Sequence, residues 1–548
     1  MKKVAIIGID GATFDLILPW IKNGFLPNLK QCIENGSWGY LESTFPPISC
    51  PAWPAFRTGK NPGKLGFFDF LVKRTKEYNL KVVDNLYKLT SFWEYISDND
   101  YKVGIINVPS TYPPKKVSGF IITSILTPST KENFTYPSEL KSEINNIVGG
   151  YEIDVPARSR YIHEESKYIK VNHRILDKRG KTIKYLIKKY NPDFLTAVFT
   201  GTDRMQHFLW RHLDSSHPSH DSKKSKKYKN AIRNFWGKLD NILGEIINVL
   251  DKDCNLFIIS DHGFGPQTIN FYINDWLIKK GFLVLRKRRQ KLLSKLGFNS
   301  ENISFILGKF KLYNFLAKII SKFVSPKVPY EKFSKYQSFK DMVKYIDWSK
   351  TKAFSMSHNP AFHHIYINSK KNFKNGIITE KNYETIKEDI IKELLKLNGK
   401  KVGKSNIKIK IMNQKKIYSG PYVNLSPDII FSLNKGGCYY SFGHKNFIEE
   451  GSESQHISGN HRIEGIFIAY GPDMRKKKLD GLKLIDIAPT ILHIFNVPIP
   501  KDYDGKVIKE IFKKESEYYQ RPIKSADKID ERDRIKKKIL KLKKLRKI

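Results

Sequence analysis

Apolar positions along the chain fall into two patterns, short unbroken runs and stretches spaced by three and four residues. The runs Val4–Ile9, Phe194–Thr200 and Asn255–Ser260 are bounded by polar or glycine residues, the mark of buried parallel strands. Tyr101–Pro109 reads as a further strand behind a helix near Ser91–Ser97, and Ala361–Asn368 as another. Ile232, Phe235, Leu239, Ile242, Leu243, Ile246 and Leu250 recur at helical spacing. They predict a helix with one core-facing stripe that feeds the Asn255–Ser260 strand. Leu484–Phe495 reads as a late helix capped near Asp486, with His493 on its apolar side, before a turn at Asp502–Lys506. Strands alternating with helices predict an α/β fold around a central, mostly parallel sheet.

Residues 283–345 break this grammar. Arg286-Lys287-Arg288-Arg289 opens a stretch of Leu- and Phe-rich segments that read as short amphipathic helices, hence an inserted helical cap. The expected organisation is a core of residues 1–282 and 346–513, the cap at 283–345, and a basic tail at 514–548. In that tail Ile535, Ile539, Leu542 and Leu545 recur among lysines, the pattern of a basic amphipathic helix. Such a helix suits weak contact with an anionic membrane surface, and equally a solvated or self-docked helix.

Composition changes this picture little. The chain has 548 residues and a formal net charge of +43, but its lysines are spread along the whole length. That distribution points to solvated surface, and nucleic acid is not required as a partner. The four cysteines, Cys32, Cys50, Cys254 and Cys438, form no C-x-x-C pair, which fits a reducing compartment. The N-terminus lacks signal-peptide features, and no run approaches the roughly 20 apolar residues of a membrane span. A cytoplasmic location follows as the expectation, with peripheral membrane contact open to the tail.

Candidate chemistry gathers where the strands end. Val4–Ile9 stops at Asp10-Gly11, without the G-x-G-x-x-G of a dinucleotide site. Asn255–Ser260 stops at Asp261-His262. Phe194–Thr200 is followed by Asp203 and His207, which lie one helical turn apart on one face. Open α/β sheets carry their chemistry just beyond such strand ends. An adjacent Asp and His there read either as a helix cap beside a satisfied loop histidine or as two ligands of one divalent cation. Ser49, after Pro46-Pro47 and before an apolar helical run, reads either as an ordinary N-cap or as a nucleophile at a helix start. His363 and His364, on the Ala361–Asn368 strand, read as structural or substrate-facing.

Together Asp10, the Pro-Pro-x-Ser-x-Pro-Ala-Trp…Thr-Gly-x-x-Pro-Gly stretch from Pro46 to Gly63, and Asp261-His262 resemble the alkaline phosphatase superfamily. The branch is that of type I phosphodiesterase/nucleotide pyrophosphatase-like phosphohydrolases, and the resemblance spans most of 1–265 and about 346–512. Asp203-x-x-x-His207 and the Ser458-Gly-Asn-His461 loop match further elements of that family in its order. The resemblance implies an alkaline phosphatase-like fold and two divalent ions, zinc or manganese. One ion would be held by Asp203, His207 and His461, the other by Asp10, Asp261 and His262, with Ser49 as nucleophile and additional ligand. It further implies hydrolysis of phosphodiester or nucleotide pyrophosphate bonds in a small phosphorylated substrate through a phosphoseryl intermediate.

Alternatives are a phosphomonoesterase or phosphomutase of the same superfamily, or a non-catalytic protein that binds anionic surfaces. Phosphoglycerate-type mutases carry their insertion before the Asp-x-x-x-His element, whereas the insertion here follows Asp261-His262. Leu65-Gly66 replaces a frequent His-Gly, and Phe70 stands where nucleotide pyrophosphatases carry an Asn that contacts a phosphoryl oxygen. Asp69 and Lys60, with Lys64, are the candidate substrate contacts. Cys50-Pro51 is not completed to a sulfatase signature by Ala52-Trp53.

Overall fold

A computed structural model describes residues 3–286 and 343–527, except positions 74, 80, 84–85, 156–160, 162–163, 358 and 452–456. Its centre is a ten-stranded sheet. The strands in chain order are β1 (Lys3–Ile9), β2 (Ser37–Glu42), β3 (Val103–Ile106), β4 (Gly119–Ile122), β5 (Thr135–Tyr136), β6 (Phe194–Phe199), β7 (Cys254–Ile259), β8 (Glu464–Tyr470), β9 (Lys477–Lys478) and β10 (Leu482–Lys483). They lie in the order β9-β2-β8-β7-β1-β6-β3-β4-β5, with β10 also beside β2. The sheet is mixed and mostly parallel: only the pairs β2–β8, β8–β7 and β4–β5 are antiparallel.

Alternation along β1 shows how the layers form. Ala5, Ile7 and Ile9 enter one hydrophobic core, Val4 and Ile6 the other. Helices α2 (Glu165–Tyr190) and α4 (Ser222–Val249) cover the first face. Helices α1 (Ser49–Thr58) and α5 (Ile487–Ile494) cover the second. Both faces are therefore dry, as near-continuous apolar strands require. Gly8 interrupts the β1 run because Trp53 of α1 lies against it: a Cβ there would meet the indole at 2.6 Å. That close approach brings the start of α1 to the end of β1. The Thr58-Gly59 motif ends the helix, with Gly59 in the left-handed region at φ 64°.

Register sets where the strand-end residues gather. Ile9 pairs with Phe199 and Gly8 with Ile259. Asp10, the start of helix α3 (Gly201–Leu213) and Asp261 consequently emerge together at the carboxyl ends of β1, β6 and β7.

Between β7 and β8 the chain leaves this sheet. Ile269–Tyr272 pairs with Gly436–Tyr439 and Ile448–Glu450, and a separate antiparallel sheet joins Ala353–Phe354, His364–Ile367, Ile429–Leu433 and Ile409–Met412. These strands share their own core, with Trp276, Phe354, Ile365 and Phe431 buried in it. Within the stretch 346–513, expected as the second part of the core, the chain rejoins the main sheet only from β8 onward. Apolar alternation marks a strand but not which sheet it joins, since that depends on partners far away in sequence. Of the expected cap, residues 287–342 lie outside the described residues, and Leu285 and Ile346 form an antiparallel bridge at its base.

Past residue 513 the chain keeps contact with the core. Ser525–Ala526 pairs with Ile499–Pro500, Tyr518 is buried, and its carbonyl accepts from His493 Nε2 at 2.7 Å. Residues 514–527 are thus docked on the core. The amphipathic segment at 535–545 lies outside the described residues. No described helix is long and apolar enough to cross a membrane.

Candidate active site

Ser49 is the first residue of α1, and the cap position belongs to Ile48, which makes no side-chain capping bond. The N-cap reading of Ser49 therefore fails, and its hydroxyl is directed elsewhere. Oγ lies 3.4 Å from Asp10 Oδ1 and 3.4 Å from His262 Nε2, in a setting that leaves Ser49 buried. A helix N-terminus favours negative charge at this point.

Around Ser49 the strand-end residues converge as two overlapping groups. Ligand-type atoms of Asp10, Asp261 and His262 lie within 4.8 Å of one another, as do those of Asp203, His262 and His461. His207 joins the second group: its Nε2 is 3.3 Å from Asp203 Oδ1 and 2.8 Å from His461 Nε2, which is itself 3.2 Å from the same carboxylate oxygen. His262 and His461 stack with ring centroids 3.7 Å apart. All seven residues expected from the sequence are brought together. His461 lies on a short strand, Gly459–Arg462, paired antiparallel with Gly263–Pro266, where a loop was expected.

The histidines are held in one tautomer. His207 Nδ1 donates to Gly459 O at 2.9 Å, His461 Nδ1 to Pro47 O at 2.8 Å and His262 Nδ1 to Gly263 O at 3.0 Å. A carbonyl only accepts, so each Nδ1 carries the proton and each Nε2 turns a lone pair inward. Lone pairs facing each other at 2.8 Å across His207 and His461 call for a cation between them.

The carboxylates make the same demand. Asp203 Oδ1 and Asp261 Oδ2 are buried and accept no hydrogen bond. Burial, then the neighbouring Asp261 and Asp203 charges, push Asp10 well above the usual carboxylate range. Burial and Asp203 raise Asp261 to about 7. Burial and His461 lower His262 to about 4, so it stays neutral. Inward lone pairs and orphaned carboxylate oxygens, among carboxyls that repel one another, fit divalent cations with nitrogen and oxygen ligands.

Several supporting groups carried no sequence signal of their own. Trp53 Nε1 donates to Asp10 Oδ2 at 3.3 Å, Thr202 Oγ1 to the Asp10 carbonyl at 2.6 Å, and Gly11 N to Asp261 Oδ1 at 3.3 Å. Each steadies a cluster carboxylate residue, Asp10 or Asp261, from outside the cluster.

The candidate substrate contacts fare differently. Lys60 pairs with Asp502, while Lys64 pairs with Asp504 at 2.7 Å and donates to the Asp502 carbonyl at 2.9 Å. Both ammonium groups fasten the 502–504 turn. Asp69 is buried, its carbonyl 3.5 Å from the thiol of Cys50, which adjoins Ser49. Its Oδ1 accepts from Phe70 N at 2.6 Å. His363 is structural: Nε2 donates to Pro360 O at 2.9 Å and Nδ1 accepts from Leu433 N at 3.0 Å. His364 Nδ1 donates to Phe362 O at 3.2 Å.

These last two histidines should make the fold acid-sensitive. Burial lowers His363 to about 4 and His364 to about 3, against an ordinary value of 6.5. Between pH 6.5 and 4 the unfolded chain takes up protons that the folded chain refuses, so stability is full above 6.5 and falls as pH drops. At pH 5 each histidine costs about 2 kcal/mol. Urea midpoints should fall between pH 7 and 5, and His364→Asn, whose amide can still donate to Phe362 O, should show a shallower fall. A variant as pH-sensitive as the wild type would remove His364 from the account.

Comparison with known proteins agrees with the fold. Residues 4–451 match the family model described as type I phosphodiesterase / nucleotide pyrophosphatase, a stretch that ends just before the strand carrying His461. Phosphonoacetate hydrolase from Sinorhizobium meliloti 1021, solved with phosphonoacetate, is similar over 90% of this chain and 95% of its own, at 12% identity and a TM-score of 0.52. Human ectonucleotide pyrophosphatase / phosphodiesterase 5 is similar over 92% and 97%, at 12% identity and a TM-score of 0.48. No curated protein matches the chain.

Proposed function

The chain belongs to the type I phosphodiesterase / nucleotide pyrophosphatase family, within the alkaline phosphatase superfamily, and on that premise we propose that this phosphoester hydrolase cleaves phosphodiester or nucleotide pyrophosphate bonds through Ser49. Asp203, His207 and His461 would hold one divalent ion, and Asp10, Asp261 and His262, with Ser49, the other. Bound there, the ions would lower the pKa of a hydroxyl and stabilise negative charge on attacking and leaving oxygens. Zinc suits the mixed nitrogen and oxygen donors, and manganese is the alternative.

The chain's own residues supply the rest. Ser49 Oγ attacks phosphorus from the helix start, the P–O bond to the leaving group breaks, and a phosphoseryl ester remains until water attacks it. The N-terminus of α1 favours the anionic phosphoryl group while it is attached. Trp53 and the Gly11 amide keep Asp10 and Asp261 aimed at the centre. Near-complete burial of Asp10, Asp261 and His262 excludes bulk water from that side. Asp69, adjoining Cys50, would be the candidate contact for a hydroxyl-bearing part of the substrate.

The observation that carries this reading is the convergence of three inward Nε2 lone pairs and two orphaned carboxylate oxygens around the Ser49 hydroxyl. Metal-replete enzyme is expected to hydrolyse bis-nitrophenyl phosphate faster than nitrophenyl phosphate, and to lose both activities to a chelator. The reverse preference would make it a monoesterase, and activity unaffected by chelation would refute the metal assignment.

A further inference from the structure

Arg204 directly follows Asp203 on α3, and side chains one apart on a helix do not face each other. Its guanidinium nevertheless returns to the Asp203 carboxylate, Nη1 donating to Oδ2 at 3.2 Å. Asp154 draws it there, accepting from Nη2 on Oδ2 at 2.7 Å. Asp154 is itself fixed, because Oδ1 accepts from Thr200 Oγ1 at 2.9 Å. Its neighbour Ile153 offers a carbonyl to the buried Arg179, which also donates to Val198 O on β6 at 3.1 Å. The chain of contacts thus runs from the main sheet through Asp154 and Arg204 to Asp203.

Its effect on Asp203 is to separate the two oxygens. Oδ2 is occupied by Arg204, while Oδ1 accepts no hydrogen bond and faces the Nε2 atoms of His207 and His461. A guanidinium alone would oppose a divalent ion at this distance. Beside it, Asp154 cancels the charge and leaves the directional hydrogen bond.

We propose that Arg204 is a positioning residue that locks Asp203 with a single oxygen presented to the centre, and that Asp154 supplies the counter-charge that lets a guanidinium stand beside a cation site. The inference rests on the metal reading above. It predicts that losing the strut weakens one of the two ions and leaves the other alone.

Zinc alone, titrated into chelator-stripped enzyme against a chromogenic competitor, tests this. Arg204→Met should bind one ion about 10- to 100-fold more weakly, the usual cost of removing a group that orients a ligand, with the second ion unchanged. Arg204→Lys keeps the charge but cannot reach both carboxylates with a planar fork, so it should be weakened too. Asp154→Asn should affect the same ion. Wild-type affinity for both ions in Arg204→Met, equal weakening of both, or full rescue by Lys would each overturn the proposal. Should Arg204→Met fail to fold, Arg204→Lys and Asp154→Asn decide by the same criteria. A wild-type protein that does not take up two ions refutes the metal assignment itself, whereas two ions with unaffected variants refute only the positioning.

Discussion

Ser49→Ala is expected to reduce hydrolysis of bis-nitrophenyl phosphate by at least about a thousandfold, because the variant lacks the attacking oxygen while every supporting group remains. The structure makes this a clean experiment. The Ser49 hydroxyl caps no helix, since Ile48 holds the cap position, so its removal costs no helix-terminal hydrogen bond. Thermal stability of the metal-free protein should therefore match the wild type, and the second ion, with three of its four protein ligands left, should still bind when supplied in excess. Loss of activity together with loss of metal would show that Ser49 acts mainly as a ligand, and retained turnover in metal-replete variant would remove it as nucleophile.

Asp203→Asn and Asp261→Asn are expected to lower bound metal by about one ion per chain each, since an amide is a poor substitute for a carboxylate ligand. Two ions retained by both variants would refute the assignment. A second readout runs in the opposite direction. Asp261 is raised to about 7 by burial and by Asp203, so in metal-free protein it destabilises the fold above its unfolded value of 3.8, increasingly as pH rises towards 7. Chelated Asp261→Asn should accordingly be more stable than chelated wild type at pH 7, by at least about 1 kcal/mol. With zinc present the order should reverse, because only the wild type gains the second ion. Melting temperatures with and without chelator would show the crossing.

Local events marked five of the seven residues as candidates: the end of an apolar run for Asp10 and Asp261, a helix start for Ser49, one-turn spacing for Asp203 and His207; only the family resemblance joined them with His262 and His461 into one centre. The groups that orient them were not legible. Trp53 reaches Asp10 across 43 positions and Asp154 reaches Arg204 across 50, distances at which no periodicity survives. The partner of Lys60 was hidden for the same reason. In sequence Lys60 is a loop cation beside the nucleophile, and its anionic partner Asp502 lies 442 positions away. The accessory strands were visible one by one, as at Ala361–Asn368, but nothing local told that they build a second sheet.

β8 has a consequence for how this protein is made. It lies between β2 and β7, yet it is drawn from residues 464–470, and β9 and β10, the other partners of β2, come later still. Until the ribosome has released that part, β7 offers an unpaired edge and β2 has no neighbour at all. Exposed edges of apolar strands template pairing with other chains. Chains truncated just before residue 464 should accordingly be recovered as aggregates, even though they contain all seven residues of the centre together with the whole of α1.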